Sequence, residues 1–205
     1  MYILIDNIPW MSFNISLAVI AIVFGWLMLK LKHPILQIIC GIFWILFLPN
    51  TIYLVTDVQH VSPGLNDVKG LFEQLILIFQ YLVLVFLGIV TFIIGLFPLA
   101  EIIIKIKNAD RRAISVFITF MFNFLVALGV VVGRVQRTNS WEAVTDPIKV
   151  LKDFINVLNS PDLISLVILF GILNNFLYFT LKRPVMHYSR FLVRTFLQKY
   201  VNTPN

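Results

Sequence analysis

Charge is scarce in this chain of 205 residues: Asp, Glu, Lys and Arg together make up 13%, against 60% hydrophobic residues. Soluble domains carry about 25% charged residues and about 45–50% apolar ones, so an ordinary globular domain is excluded. Cysteine occurs once, as Cys40 within an apolar run. No intramolecular disulfide can form, and nothing follows about redox compartment. The three histidines, His33, His60 and His187, are scattered along the sequence and give no multi-histidine metal site. No zinc-protease, P-loop or Gly-x-Ser-x-Gly signature is present, and neither a metal nor a cofactor is expected. The residues before the first apolar run contain no Lys or Arg, and no small-x-small cleavage site follows them. The first segment is therefore expected to be a retained helix and not a signal peptide.

What the chain has in quantity is long apolar runs, with a mean hydropathy of +0.93. Five of them approach the roughly 20 residues needed to cross a hydrocarbon layer of about 30 Å. They cover about 10–29, 35–55, 71–104, 113–132 and 163–181. The third is long enough to tilt or to protrude from the bilayer. The runs are too continuously apolar for the alternating strands of a barrel. The fold class that follows is all-α, a polytopic transmembrane helix bundle forming one domain over 1–205. Loop lengths leave no room for a separate soluble domain, and no internal repeat or low-complexity tract is visible.

The net charge of +6 would suggest nucleic acid in a soluble protein, but here its placement matters more. With the N-terminus outside, eleven Lys and Arg residues fall on the cytoplasmic side and five outside; the reverse orientation inverts that ratio. The cytoplasmic set is Lys30 and Lys32, then Lys105, Lys107, Arg111 and Arg112, then Lys182, Arg183, Arg190, Arg194 and Lys199. Lys69, Arg134, Arg137, Lys149 and Lys152 make up the external set, where Glu142, Asp146 and Asp153 accompany the last four. Positive residues accumulate in cytoplasmic loops, so the N-terminus is expected outside and the C-terminus inside. No nucleic-acid partner is expected.

The loop before the last span is patterned. Asp146 is a plausible N-cap and Pro147 suits the first helical position, predicting a helix over 147–158. At about 100° per residue, Ile148, Leu151, Phe154, Ile155 and Leu158 share one half of the wheel with two valines, while Lys149, Lys152, Asp153 and Asn156 occupy the other. Such a helix lies in the membrane interface or roofs the outer mouth of the bundle, or it merely packs against the bundle.

Polar residues concentrate in two blocks. In "LPNTIYLVTDVQH", Pro49 removes a backbone donor and frees carbonyls that need partners, one of which Asn50 can serve. A helix resuming there places Asn50, Tyr53 and Asp57 at i, i+3 and i+7 on one face, with His60 one turn on. In "GVVVGRVQRTNSWE", Gly129 and Gly133 form a G-x-x-x-G face for close helix approach, followed by Arg134, Arg137, Asn139 and Trp141. The two blocks share a membrane depth and carry opposite charge, so Asp57 is expected to pair with Arg134 or Arg137. Glu73, Gln74 and Gln80 are candidates to join this polar region, whereas Asn123, Asn174 and Asn175 lie deeper and read as interhelical glue.

These blocks, at Pro49, Asn50, Tyr53, Thr56 and Asp57 and at Gly133, Arg134, Arg137, Asn139, Ser140 and Trp141, resemble the signatures of a bacterial family of integral membrane proteins. That family is known as domain of unknown function 1361. "FNISLA", beginning at Phe13, resembles a third block of the same family, with Phe13 in place of its tryptophan and the polar member Asn14 retained. The resemblance implies a multipass protein of the bacterial cytoplasmic membrane and supplies no activity. With the N-terminus outside, all three blocks fall near the outer leaflet. Asn14, Asn50, Tyr53, Asp57, Arg134, Arg137, Asn139 and Trp141 are accordingly expected to converge on one outward-facing pocket.

Paired arginines suit phosphate or carboxylate, and Trp141 suits the interface, so an anionic lipid head group or a lipid-linked cell-envelope precursor fits that pocket. A structural or accessory subunit docking on a membrane protein partner is the alternative, favoured by short loops and the G-x-x-x-G face. A small transporter draws support from the interruption of the second span, against which no inverted repeat is visible. For an enzyme, Asp57 with His60 is the one nearby acid–base pair, and the balance leans against catalysis. The orientation is directly testable. In a Cys40→Ala background, Lys105→Cys is expected to resist a membrane-impermeant maleimide in intact cells and to react once the membrane is opened. Labelling from outside would reverse the topology.

Overall fold

Two prolines set the shape of the bundle, because each interrupts a membrane-spanning helix where no water can take up the freed backbone groups. The computed structural model describes residues 2–68, 70–104 and 111–201, all helix, turn or connecting loop with no strand among them. Lys69, Lys105 and Lys107, used above for orientation, lie outside the described residues. The first helix, α1 (Tyr2–Lys30), is followed by α2 (Pro34–Phe47) and α3 (Pro49–Thr56). A 3-10 turn over Asp57–His60 and a short α4 (Val61–Asp67) complete the second span. Next come α5 (Leu71–Gly95), α6 (Phe97–Ile104) and α7 (Arg111–Val135). The chain ends with α8 (Glu142–Thr145), α9 (Pro147–Asn159) and α10 (Pro161–Val201). Five stretches are long and apolar enough to cross a membrane: Ile5–Lys30, Pro34–Asp67, Leu71–Ile103, Ala113–Val135 and Pro161–Ser189.

At Pro49 the expected break proves to be a local adjustment. Leu48 stays helical at φ −58° and ψ −37°. The Thr51 N–H retreats to the Leu48 carbonyl at 3.1 Å, which leaves the Phe47 carbonyl without its usual partner. Asn50 Nδ2 donates to that oxygen at 2.8 Å. The third span, expected to run unbroken over 71–104, is interrupted at Leu96 because Pro98 lacks a backbone donor and disfavours helix before it. Here Leu99 N–H turns to the Leu96 carbonyl, and Trp44 Nε1 donates to the Gly95 oxygen at 2.7 Å. Each proline thus has one polar side chain completing the backbone ladder.

Other boundaries also shift. The first helix begins at Tyr2, well before residue 10, with Pro9 accommodated inside it. The last helix runs on past 181 to Val201 through Pro184, with Leu181, Val185 and Met186 still packed against the core. Loss of apolar character at Lys182 ends neither the apolar stretch, which reaches Ser189, nor the helix. The main core joins Trp44, Leu48 and Ile52 to Phe92, Val130 and Tyr178. Outward faces are apolar too, as a lipid-facing bundle requires: Phe72, Phe79 and Phe86 stand seven residues apart on α5 and are all exposed. Asn123 and Asn175 join α7 to α10, with Asn123 Nδ2 donating to Asn175 Oδ1 at 2.9 Å and Asn174 Nδ2 donating to the Asn123 carbonyl at 3.3 Å.

The helix expected over 147–158 is α9, and the Asp146 side chain caps it by accepting the Lys149 N–H at 3.1 Å. It has three faces where two were expected. Val157 is buried and Phe154 half-buried against α7 and α10, while Ile148, Leu151, Ile155 and Leu158 are exposed. Lys149, Lys152, Asp153 and Asn156 form the polar third. One apolar edge therefore grips the bundle and the other is free to enter the lipid surface, the arrangement of an interfacial helix.

Short helix α3 is pinched between two glycines. A Cβ on Gly88 of α5 would stand 2.9 Å from Leu54 Cβ and 3.0 Å from the Thr51 carbonyl, and one on Gly129 of α7 would stand 2.5 Å from Pro49 Cγ. Neither neighbour is the free end of a flexible side chain. Gly88→Ala and Gly129→Ala are each expected to lower unfolding stability in detergent by about 1–3 kcal/mol, the usual penalty of overpacking. Gly70→Ala, whose nearest neighbour would be 3.8 Å away, is expected to leave it unchanged.

Candidate functional site

The helical end at Asp57 is where the polar side chains of the second span gather. The chain tightens there into the 3-10 turn, and the Asp57 N–H bonds to the Tyr53 carbonyl. Asp57 is 1% exposed, a depth at which an unpaired carboxylate would be prohibitive. Arg134, at the end of α7, supplies the counter-charge: its Nη2 donates to Asp57 Oδ1 and, at 2.8 Å, to the Tyr53 carbonyl. Its Nε donates to Thr56 Oγ1 at 3.1 Å, and the guanidinium lies 5.0 Å above the centre of the Tyr53 ring. The second carboxylate oxygen, Oδ2, accepts from Asn14 Nδ2 of α1 at 3.1 Å. The Asp57–Arg134 pair predicted from charge and depth is thus formed, and it ties α1, the second span and α7 together.

Neighbouring signature residues serve as latches. Asn50, 5% exposed, also donates to Ser140 Oγ at 2.9 Å, fixing the loop after α7 against the Pro49 adjustment. Tyr53 donates its hydroxyl to the Gly129 carbonyl at 3.1 Å. Thr138 donates to Asp153 Oδ2 at 2.6 Å, holding α9 against the same loop. The Asn139 N–H and Lys149 Nζ both donate to Glu142, at 2.8 Å. Glu142 is held below the usual carboxylate range, chiefly by Lys149, and Lys149 is raised above its ordinary value by Glu142. Trp141 meets Phe13 of α1 edge to face, ring centres 6.1 Å apart. Arg137 differs from all of these. Its backbone is left-handed at φ 56°, and its exposed side chain forms no hydrogen bond or ion pair among the described residues.

Two spaces adjoin this network. A polar cavity of about 420 Å³ is walled by α1, the 3-10 turn, α4, α5 and Arg134. A smaller, mostly apolar crevice of about 160 Å³ lies between the second span, α7 and α9, with Ile45 and Leu125 at its lipid-exposed rim and Thr138, Asn139 and Ser140 at its polar end. Tyr53 lines the crevice and Arg134 the cavity, so the ring and the guanidinium over it form the partition.

The eight residues expected to share one pocket are therefore distributed. Asn14, Asp57 and Arg134 line the polar cavity, Tyr53 and Asn139 the crevice. Asn50 is buried between them, and Arg137 and Trp141 line neither space. Gln74 caps its own turn by donating to the Val68 carbonyl at 3.0 Å, and Gln80 faces a separate shallow pocket beside Met11. The cavity adds Asn7, Trp10, Asp67 and Tyr81, none of which was anticipated. Asn7, Trp10 and Asn14 stand at i, i+3 and i+7, a stripe that becomes visible once α1 is started at Tyr2. Asp57, which with His60 made the candidate acid–base pair, has both oxygens engaged elsewhere. His60 instead lies 3.4 Å from Gln59 Nε2 and against the Trp10 ring. Among the described residues, no cluster of three or more His, Cys, Asp or Glu stands ready to hold a metal.

Fold and network together define a multipass membrane protein with a five-span helical bundle and a polar cavity at one end. A family model described as "Protein of unknown function (DUF1361)" matches residues 13–177, and the chain belongs to that family. No curated protein and no solved structure matches the chain.

Removing one partner of a buried ion pair strands the other. Asp57→Asn and Arg134→Gln are each expected to lower unfolding stability by about 3 kcal/mol, with a coupling of more than about 1 kcal/mol in the double variant. Additive effects in a thermal-shift cycle would mean that the pair does not act as a unit.

Proposed function

We propose that this protein binds a membrane-resident amphiphile by an anionic group on its head, at the external end of the bundle in a bacterial cytoplasmic membrane. A lipid and a lipid-linked envelope precursor both belong to that class. The observation that carries the reading is Arg137. It follows the end of α7 at a position where helices commonly place glycine, because a Cβ is disfavoured at φ 56°. A non-glycine residue there costs about 1–2 kcal/mol. The guanidinium returns nothing to the fold, since it is exposed and unpaired among the described residues. A forked, permanently charged donor at the membrane boundary suits a phosphate or carboxylate. The polar cavity at this end of the bundle provides room for a head group, and the exposed apolar outer faces of the helices accommodate hydrocarbon.

A structural role without ligand is the second reading. It is favoured by Asp57, Arg134 and Asn50 all directing their hydrogen bonds at helix packing. Arg137→Gly separates the two. Relief of the left-handed strain is expected to leave unfolding stability equal or slightly higher, while affinity for phosphatidylglycerol or another anionic lipid, read by native mass spectrometry, falls at least about tenfold, as loss of a charge-assisted contact implies. Unchanged lipid affinity would support the structural reading.

A further inference from the structure

The polar cavity carries more negative than positive charge, which a purely anionic occupant does not explain. Its ionisable walls are Asp57, Asp67, His60 and Arg134. Arg134 is neutralised by Asp57, whose second oxygen is held by Asn14, so among the described residues Asp67 is the charge left without compensation in the wall. Beside it stand aromatic rings. Trp10 has Tyr81 at 6.2 Å on one hand and His60 at 6.1 Å on the other, measured between ring centres. The Trp10 Nε1 is already engaged with Asn7 Oδ1 at 3.1 Å, so what the residue still offers is its π-face. A carboxylate among electron-rich rings is the chemistry that holds an ammonium group. Arg134 Nη1 takes no part in the bonds that anchor its guanidinium.

We infer that the cavity is a site for a zwitterionic head group. Its ammonium is held by Asp67 with Trp10 and Tyr81, and a phosphate oxygen is held by Arg134 Nη1. This rests on the head-group reading above and narrows it to an aminated, phosphorylated class. It also gives the excess carboxylate a role that an anion alone would contradict, since like charge in a confined wall repels.

The test compares phosphatidylethanolamine with phosphatidylethanol, which differ by the amine alone, each titrated onto the purified full chain and read by native mass spectrometry. Wild-type protein is expected to prefer phosphatidylethanolamine by about tenfold, the scale of a partly desolvated cation–π and carboxylate contact. Asp67→Asn is expected to abolish the preference without moving the thermal midpoint, because Asp67 is exposed and makes no packing contact in the core. Equal binding of both lipids overturns the inference and leaves the anionic reading standing; no specific binding of either, or of phosphatidylglycerol, removes both. A preference that survives Asp67→Asn also overturns it. Displacement of the lipid by micromolar free phosphoethanolamine supports the ammonium site and assigns its source to a soluble molecule.

Discussion

A carbonyl in hydrocarbon has no solvent to fall back on, and the bundle is organised around that constraint. Proline is the residue that creates such carbonyls, and Pro49 and Pro98 do so inside the second and third spans. The answer at Pro49 is local, the side-chain amide of the next residue, Asn50. The answer at Pro98 is distant: the indole of Trp44 reaches across from α2 to Gly95. Because Trp44 is also part of the main core, satisfying the third span fixes its position against the second. Asn50 does the same toward the loop after α7 through Ser140. Local backbone need and tertiary placement are thus met by the same side chains.

The Asp57–Arg134 pair extends that logic from partial to full charges. A buried ion pair seldom adds net stability over an apolar packing of the same shape, but it tolerates few alternative arrangements. Here it joins three spans at one depth and leaves part of the arginine facing a cavity. That division of labour explains how the two functional readings coexist. Most polar groups of the signature blocks hold the scaffold, while Arg137 faces outward and Asp67, outside those blocks, lines the polar cavity.

Much of this was legible in the residues. Hydropathy located all five spans, and the Asp146–Pro147 cap with its apolar wheel located α9. Opposite charges at equal depth put Asp57 with Arg134 or Arg137, and the pair forms with Arg134. Other features were hidden for physical reasons. Pro98 sits inside an unbroken apolar run, so a hydropathy window cannot register the kink at Leu96. Helix ends beyond the apolar limits, at Tyr2 and Val201, depend on backbone continuity that polarity does not report. The convergence of eight residues on one pocket failed at Tyr53. A helix face can be read from spacing, but which of two spaces lies against each residue depends on a ring whose position is set by Gly129 and Gly133.

That ring has an electrical consequence. On one side of Tyr53 lies a cavity with room for water, and on the other a slot open to lipid. A single phenol and the guanidinium resting on it separate a high-dielectric medium from a low one. Nearly the whole drop in polarisability across this end of the protein is therefore confined to a few ångströms. Fields from Asp57 and Arg134 are screened more toward the cavity than toward the slot. Any polar atom entering from the lipid side therefore meets the dipole of that ion pair with less solvent in between.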